Sequence, residues 1–167
     1  MKQFRNLIIL FIVILITIVI TERVSGEEIT SPYMDWFFDR CAIYDVPPEI
    51  AISVAIVESN FKMVVSTENW NGSKDIGIFQ INSKYVEWFE KALWYDERDF
   101  DPYDPYENIE MGIIYLRHLY DHTGSWDKSV RAFHQGLHGL KKDPDRSNAY
   151  FVKVCNVLST LKIKGKL

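Results

Sequence analysis

Beyond residue 30, apolar positions recur at three- and four-residue intervals, in blocks bounded by proline, glycine or small polar residues. That is the punctuation of helices. Ser31-Pro32 opens a first helix through about Tyr44, and Pro47-Pro48 opens a second, from Ile50 to about Phe61. Ser83 caps a third that reaches about Leu93. Asp104-Pro105 opens a long fourth that stops before Gly124. Ser125 caps a fifth ending near Gly136, and Pro144 precedes a last helix from about Asn148 to Leu161. Ser66 to Asn82, rich in Asn, Ser and Gly, reads instead as loop plus short extended structure, with a small hairpin. The pattern predicts a mainly α fold, one compact helical domain with a small loop/β-hairpin region beside the second helix. No linker, repeat or low-complexity tract interrupts residues 31–161.

The first 26 residues follow a different logic. Lys2 and Arg5 precede a stretch of 14 residues, Leu7 to Ile20, apolar but for Thr17, which gives way to Thr21-Glu22-Arg23 and the small residues of Val24-Ser25-Gly26. A charged start, an apolar core and a small-residue exit make an export signal. The run is short against the roughly 20 residues of a spanning helix. Two outcomes stay open: cleavage after Gly26, or retention of residues 7–20 as a membrane anchor. Both carry residues 27–167 across a membrane as one domain, to the periplasm or cell envelope.

Removing residues 1–26 takes away Lys2, Arg5, Arg23 and Glu22, leaving 16 basic against 22 acidic side chains, a net of −6. Such a domain repels phosphate backbones, which excludes nucleic acid as a partner. Cys41 and Cys155 are the two cysteines, too far apart in sequence for a short metal motif. In an exported chain they permit a disulfide. First and last helices often pack together in a compact helical domain, so a Cys41–Cys155 bridge is expected, the alternative being two thiols packed as small hydrophobes.

Ile50, Ala51, Val54, Ala55 and Phe61 share a helix face, and Glu58 lies on it. A carboxyl there is partly desolvated, which raises its pKa. Glycoside cleavage needs such a group, still protonated near neutral pH. Taken alone, a Glu in this position is more often a helix-end charge turned to water.

Its surroundings add to this. Glu58-Ser-Asn-Phe61 is followed, seventeen residues after the Glu, by Asp75-Ile-Gly-Ile-Phe-Gln-Ile-Asn82. Here the sequence resembles the lysozyme superfamily, c-type lysozymes and bacterial lytic transglycosylases alike, whose pattern is "ES-x-F", a polar loop, then "GLMQI" or "GIFQIN". The resemblance implies an α+β lysozyme-like fold, with Glu58 catalytic and Asp75 a candidate second carboxylate. Gly77 allows close approach of backbone or sugar, or is an ordinary bulge. Gln80 and Asn82 offer amides to N-acetyl and hydroxyl groups, or hold the loop together. Ser59 matches a position that supports the catalytic segment. Ser66 and Thr67 fall where transglycosylases place a serine near the acid. Trp70 and Tyr85, nearest the motif, are candidates for stacking on sugar rings.

The C-terminal half favours the transglycosylases. Asp104-Pro-Tyr-Glu-Asn108-Ile-Glu-Met-Gly112-Ile-Ile-Tyr-Leu116 is similar to their "dP-x-eNI-x-x-G-x-x-YL" helix. Gly124-Ser-Trp126 and Ala132-Phe133-His134-Gln135-Gly136 resemble their "G-x-W" and "AYNAG". The likeness spans about residues 33–156. In the family the AYNAG tyrosine is expected near the acid; Phe133 stands there and cannot make its hydrogen bond. Either another group substitutes or burial alone tunes the acid. His134, in place of the asparagine, either approaches the site or lies in solvent.

The resemblance implies an enzyme acting on peptidoglycan glycan strands, cleaving MurNAc-β-1,4-GlcNAc bonds with 1,6-anhydroMurNAc formation. A lysozyme-type hydrolase would instead use Asp75 at a carboxyl separation of about 5–5.5 Å. An inactive peptidoglycan-binding module is the third reading. No metal or nucleotide motif is present, and neither mechanism calls for a cofactor. The sequence does not say which envelope apparatus or wall process the protein serves.

Overall fold

The computed structural model describes residues 32–94 and 98–163; the export segment expected at residues 1–26 lies outside them. The described elements run α1 (Met34–Ile43), α2 (Pro48–Ser59), β1 (Asp75–Ile76), β2 (Ile81–Asn82), one 3₁₀ turn (Ser83–Tyr85), α3 (Val86–Ala92), α4 (Pro105–Thr123), α5 (Trp126–Lys142) and α6 (Asn148–Ile163). The architecture is mainly helical with a two-stranded antiparallel sheet, as in lysozyme-like α+β folds.

Local chemistry accounts for most of the boundaries. Pro48 and Pro105 occupy first helical positions, where a missing N–H costs nothing. Asp104 caps α4 by accepting from the backbone N–H groups of Tyr106 and Glu107. Gly124, at φ 62°, ends that helix in the left-handed region. Other boundaries differ from expectation: α1 begins at Met34, two residues after Pro32, and Ser125 stands at the N-cap of α5 without a side-chain hydrogen bond. Asn82, rather than Ser83, caps the turn before α3, its side chain accepting from Lys84 N, while the Ser83 hydroxyl accepts from Lys74 N. α5 also passes Gly136: that glycine (φ 72°, ψ 161°) kinks the helix, which resumes to Lys142.

α4 is the hub. Ile109, Met111, Ile113, Leu116 and Leu119 are fully buried, and the helix packs against α1, α2 and α5. α6 lies along α2 and α5. The expected Cys41–Cys155 bridge is absent: both cysteines are free thiols. The premise fails because α1, carrying Cys41, packs on α2 and α4, whereas α6, carrying Cys155, packs on α2 and α5. Cys41 is buried beside Phe37 in α1 as a small hydrophobe.

The hairpin is tied to α4 by two residues one helical turn apart. Asn108, fully buried, accepts from Phe79 N at 3.0 Å and donates to the carbonyls of Ile76 (3.0 Å) and Pro102 (2.9 Å). Gly112 lets the Phe79 ring lie directly on the helix: a Cβ there would sit 2.1 Å from Phe79 Cγ. Burying that ring contributes about 1.5–3 kcal/mol. The hairpin turn is therefore seated on the core from below, at the height where α2 ends.

Candidate active site

α2 delivers Glu58 to this junction. The helix stops at once afterwards, because Asn60 (φ 55°) and Phe61 (φ 58°) both adopt left-handed backbone. That conformation is strained for an aromatic residue. Burial of Phe61, with its ring 5.5 Å from that of Phe37, holds it there. Ser59 joins the helix end to the hairpin, its hydroxyl donating to Ile78 O at 2.7 Å and accepting from Lys62 N at 3.1 Å.

Glu58 is partly buried, and its pKa is pushed up to about 7. Burial is the main cause; the negative charge of Asp75 adds to it, and a hydrogen bond from Tyr150 works the other way. The Tyr150 hydroxyl donates to Glu58 Oε1 at 2.6 Å. Burial, then the neighbouring Glu58, holds that phenol well above its ordinary pKa, so it remains a proton-bearing donor. The pair meets because α6 runs along α2.

Asp75 is occupied elsewhere. Its Oδ1 accepts from Asn82 Nδ2 at 2.7 Å and its Oδ2 from Asn69 Nδ2 at 3.2 Å, while its backbone N–H donates to the Ser66 hydroxyl at 2.8 Å. Asn69 and Asn82 both also donate to the buried Ser73 hydroxyl. The register makes this possible, since Asp75 and Asn82 face each other across the two strands. The result is an amide-locked loop beside Glu58 with a carboxylate at its centre.

The remaining residues singled out from the sequence divide. Gln80, at φ 50°, turns its amide inward, Nε2 donating to Gly77 O (2.7 Å) and Val64 O (3.2 Å). The amide groups of both Gln80 and Asn82 thus hold the loop. At Gly77 (φ 82°) the close approach is by protein, because a Cβ would lie 2.1 Å from Asn108 Nδ2. Thr67 is exposed, Tyr85 is half exposed, and Trp70 is 99% exposed at the loop tip, so their faces are open to solvent. Phe133 packs between Phe79 and Tyr115, at ring distances of 6.1 and 5.4 Å. His134 lies flat on Tyr150, ring centres 4.4 Å apart and 8° from parallel. Burial, with Arg146 and Lys153 nearby, lowers its pKa, so the ring is neutral at neutral pH.

Among the described residues no group of three or more His, Cys, Asp or Glu side chains comes together beside Glu58 or elsewhere. What remains is one carboxylic acid titrating near neutrality, a phenol fixing its orientation and a polar loop beside them. That arrangement can pass a proton out and take one back. A family model for the transglycosylase SLT domain matches residues 35–151.

The chain belongs to the SLT transglycosylase family. No curated protein matches it significantly. The matched span runs from the first turn of α1 into the first turn of α6, and so includes Glu58, Asp75 and Tyr150. SLT domains degrade peptidoglycan by transglycosylase-type cleavage, in the cell envelope. Among the described residues no helix is long and apolar enough to cross a membrane.

Two residues that hold this junction together receive no separate role from the sequence. Tyr150 supplies the hydroxyl that Phe133 cannot, but 92 positions separate it from Glu58 and nothing local marks it. Asn108 was legible only as part of a motif; the further signal was a lone amide amid the apolar Ile109, Met111 and Ile113 of α4, which a buried polar role would explain.

Proposed function

We propose that the protein is a peptidoglycan lytic transglycosylase that cleaves the MurNAc-β-1,4-GlcNAc bond and leaves a 1,6-anhydroMurNAc end, with Glu58 as both general acid and general base. The observation that carries this reading is a contrast between two carboxyls. Glu58, raised to about 7, is poised to exchange a proton, with the Tyr150 hydroxyl 2.6 Å away. Asp75 has both oxygens taken up by Asn69 and Asn82.

The Glu58 proton passes to the glycosidic oxygen as the bond from that oxygen to C1 of MurNAc breaks, the electron pair leaving with GlcNAc. The C6 hydroxyl oxygen of the same MurNAc then bonds to C1, and its proton goes to the Glu58 carboxylate. Glu58 ends as it began, protonated, and no water is consumed. Tyr150 stabilises the carboxylate formed between the two transfers. Asp75, close enough to act on Glu58, supplies negative charge that favours the oxocarbenium-like transition state. Gly77, Gln80 and Asn82 shape the wall beside the acid, while Thr67, Trp70, Tyr85 and His134 offer exposed faces to the strand.

The reading includes export, by a signal cleaved after Gly26 or with residues 7–20 kept as an anchor, because the substrate lies outside the cytoplasmic membrane. Mass spectrometry of fragments released from sacculi tests it. Anhydro ends are lighter than reducing ends by one water and are expected as the main product. Reducing ends would favour the lysozyme-type hydrolase with Asp75 as second carboxylate. Adsorption to insoluble peptidoglycan without released fragments would mark an inactive binding module.

A further inference from the structure

On the outer side of α4, His118 and His122 stand four residues apart, one above the other on the helix surface. Their ring centres are 4.3 Å apart, with a 45° tilt between the planes. Two imidazoles in adjacent positions around one ion, with metal–nitrogen bonds of about 2.0–2.1 Å, have ring centres roughly 4–5 Å apart. The two rings already stand at that separation. We propose that His118 and His122 form a binding site for a single divalent transition-metal ion, copper(II) above all.

The hydrogen bonding leaves lone pairs free for it. His122 Nδ1 lies 2.8 Å from the carbonyl oxygen of His118. A carbonyl only accepts, so Nδ1 carries the proton and Nε2 carries the lone pair. A ring N–H anchored on a backbone carbonyl is the usual support of a metal-bound histidine. Neither ring nitrogen of His118 has a hydrogen-bond partner among the described residues. Its ring is held by Trp88, edge-on at 5.7 Å, and by Tyr115, stacked at 6.2 Å, which fixes it before any ion arrives.

The donor set decides the ion. Asp121 is committed to Arg117 at 2.7 Å, so the pair offers nitrogen alone. Imidazole suits copper, nickel and zinc, whereas magnesium and calcium take oxygen ligands, and copper(II) heads the affinity order. His122 is exposed, which leaves the other coordination positions to water. The site is independent of the chemistry assigned to Glu58, so its test does not depend on that assignment.

The test is titration of the untagged full chain with copper(II) chloride, followed by electron paramagnetic resonance and tryptophan emission. A single equivalent is expected to bind through nitrogen and quench emission, because the Trp88 ring lies beside His118. His122→Ala and His118→Ala should each weaken binding by about 10–100-fold at least, the loss that removal of even an outer-shell partner brings. Trp88→Phe should keep the stoichiometry and lose most of the quenching. Because His122 is exposed, His122→Ala still reports on the site if His118→Ala misfolds. Unchanged copper affinity in His122→Ala, or no saturable equivalent in the wild type, overturns the proposal.

Discussion

The hydroxyl of Tyr150 donates a 2.6 Å hydrogen bond to Oε1 of Glu58, joining the last described helix to the end of the second. This bond opposes the burial that lifts Glu58 to about 7. Tyr150→Phe should therefore raise the Glu58 pKa further. As a general acid Glu58 must be protonated, so activity falls as pH rises through its pKa, and in this variant that fall should move to higher pH. Loss of a hydrogen bond to a charged group, about 1.5–3 kcal/mol, should also lower kcat roughly 10–100-fold. A kcat/KM profile against pH is the measurement; a limb that stays put would reduce Tyr150 to packing.

Asp75→Asn should move the same limb the opposite way. The charge of Asp75 raises the Glu58 pKa, so its removal lowers it and the fall shifts to lower pH. Activity should stay within about tenfold, with anhydro-muropeptides as the main product, because electrostatic support is lost but no nucleophile. The new amide would turn a donor toward Asn69 or Asn82, costing about 1–3 kcal/mol of loop stability. A loss as deep as that of a Glu58 variant would make Asp75 the second catalytic carboxylate.

Glu58→Gln should abolish cleavage, by about 10²–10⁴ or more, while leaving strand binding intact. It should also change stability with a definite sign. Glu58 is raised from 4.5 to about 7 on folding, so its contribution is fully present below pH 4.5 and is lost as pH rises toward 7. The variant lacks this loss. Its stability relative to wild type should improve by up to about 3 kcal/mol between those limits, read from urea melts at several pH values.

Gly77→Ala should be costly to stability. Its φ of 82° is unfavourable for any side chain, and the added Cβ would lie 2.1 Å from Asn108 Nδ2. Left-handed strain and overpacking together predict a loss of about 2–5 kcal/mol. Thermal melts check this, and a stable variant would mean that Asn108 moves freely.

The two thiols should react unequally. Burial, then the charge of Glu49, pushes Cys41 up to about 12, whereas Cys155 is less buried. Thiolate-directed labelling of the native protein should modify Cys155 first and reach Cys41 only on unfolding. Failure of both to label even after unfolding, without reductant, would restore the disulfide.

Helix punctuation was largely readable in the sequence because proline at first positions, Asp104 and Gly124 act locally. Gly136 misled for the same reason: locally it ends a helix, but here it only kinks one that resumes to Lys142. Glu58 was legible because its spacing from the apolar positions of one helix carries the burial. Its partner was not, since nothing near Tyr150 encodes which helix α6 will lie against. The disulfide expectation failed on the same ground, two residues whose proximity depends on packing order. The amides of Gln80 and Asn82 suit a sugar and a loop equally as residue types, and it is their inward hydrogen bonds that distinguish the two.

Asn108 reaches three backbone groups on two stretches of chain, Ile76 and Phe79 in the hairpin and Pro102 before α4. With two residues in each strand, the hairpin has little cohesion of its own. Its rigidity is borrowed from α4, so turn and helix open together as one cooperative unit. Deuterium should enter the Phe79 amide no faster than the slow-exchanging amides in the middle of α4. The loop beside Glu58 is then held as still as the protein's deepest core, although much of it lies at the surface.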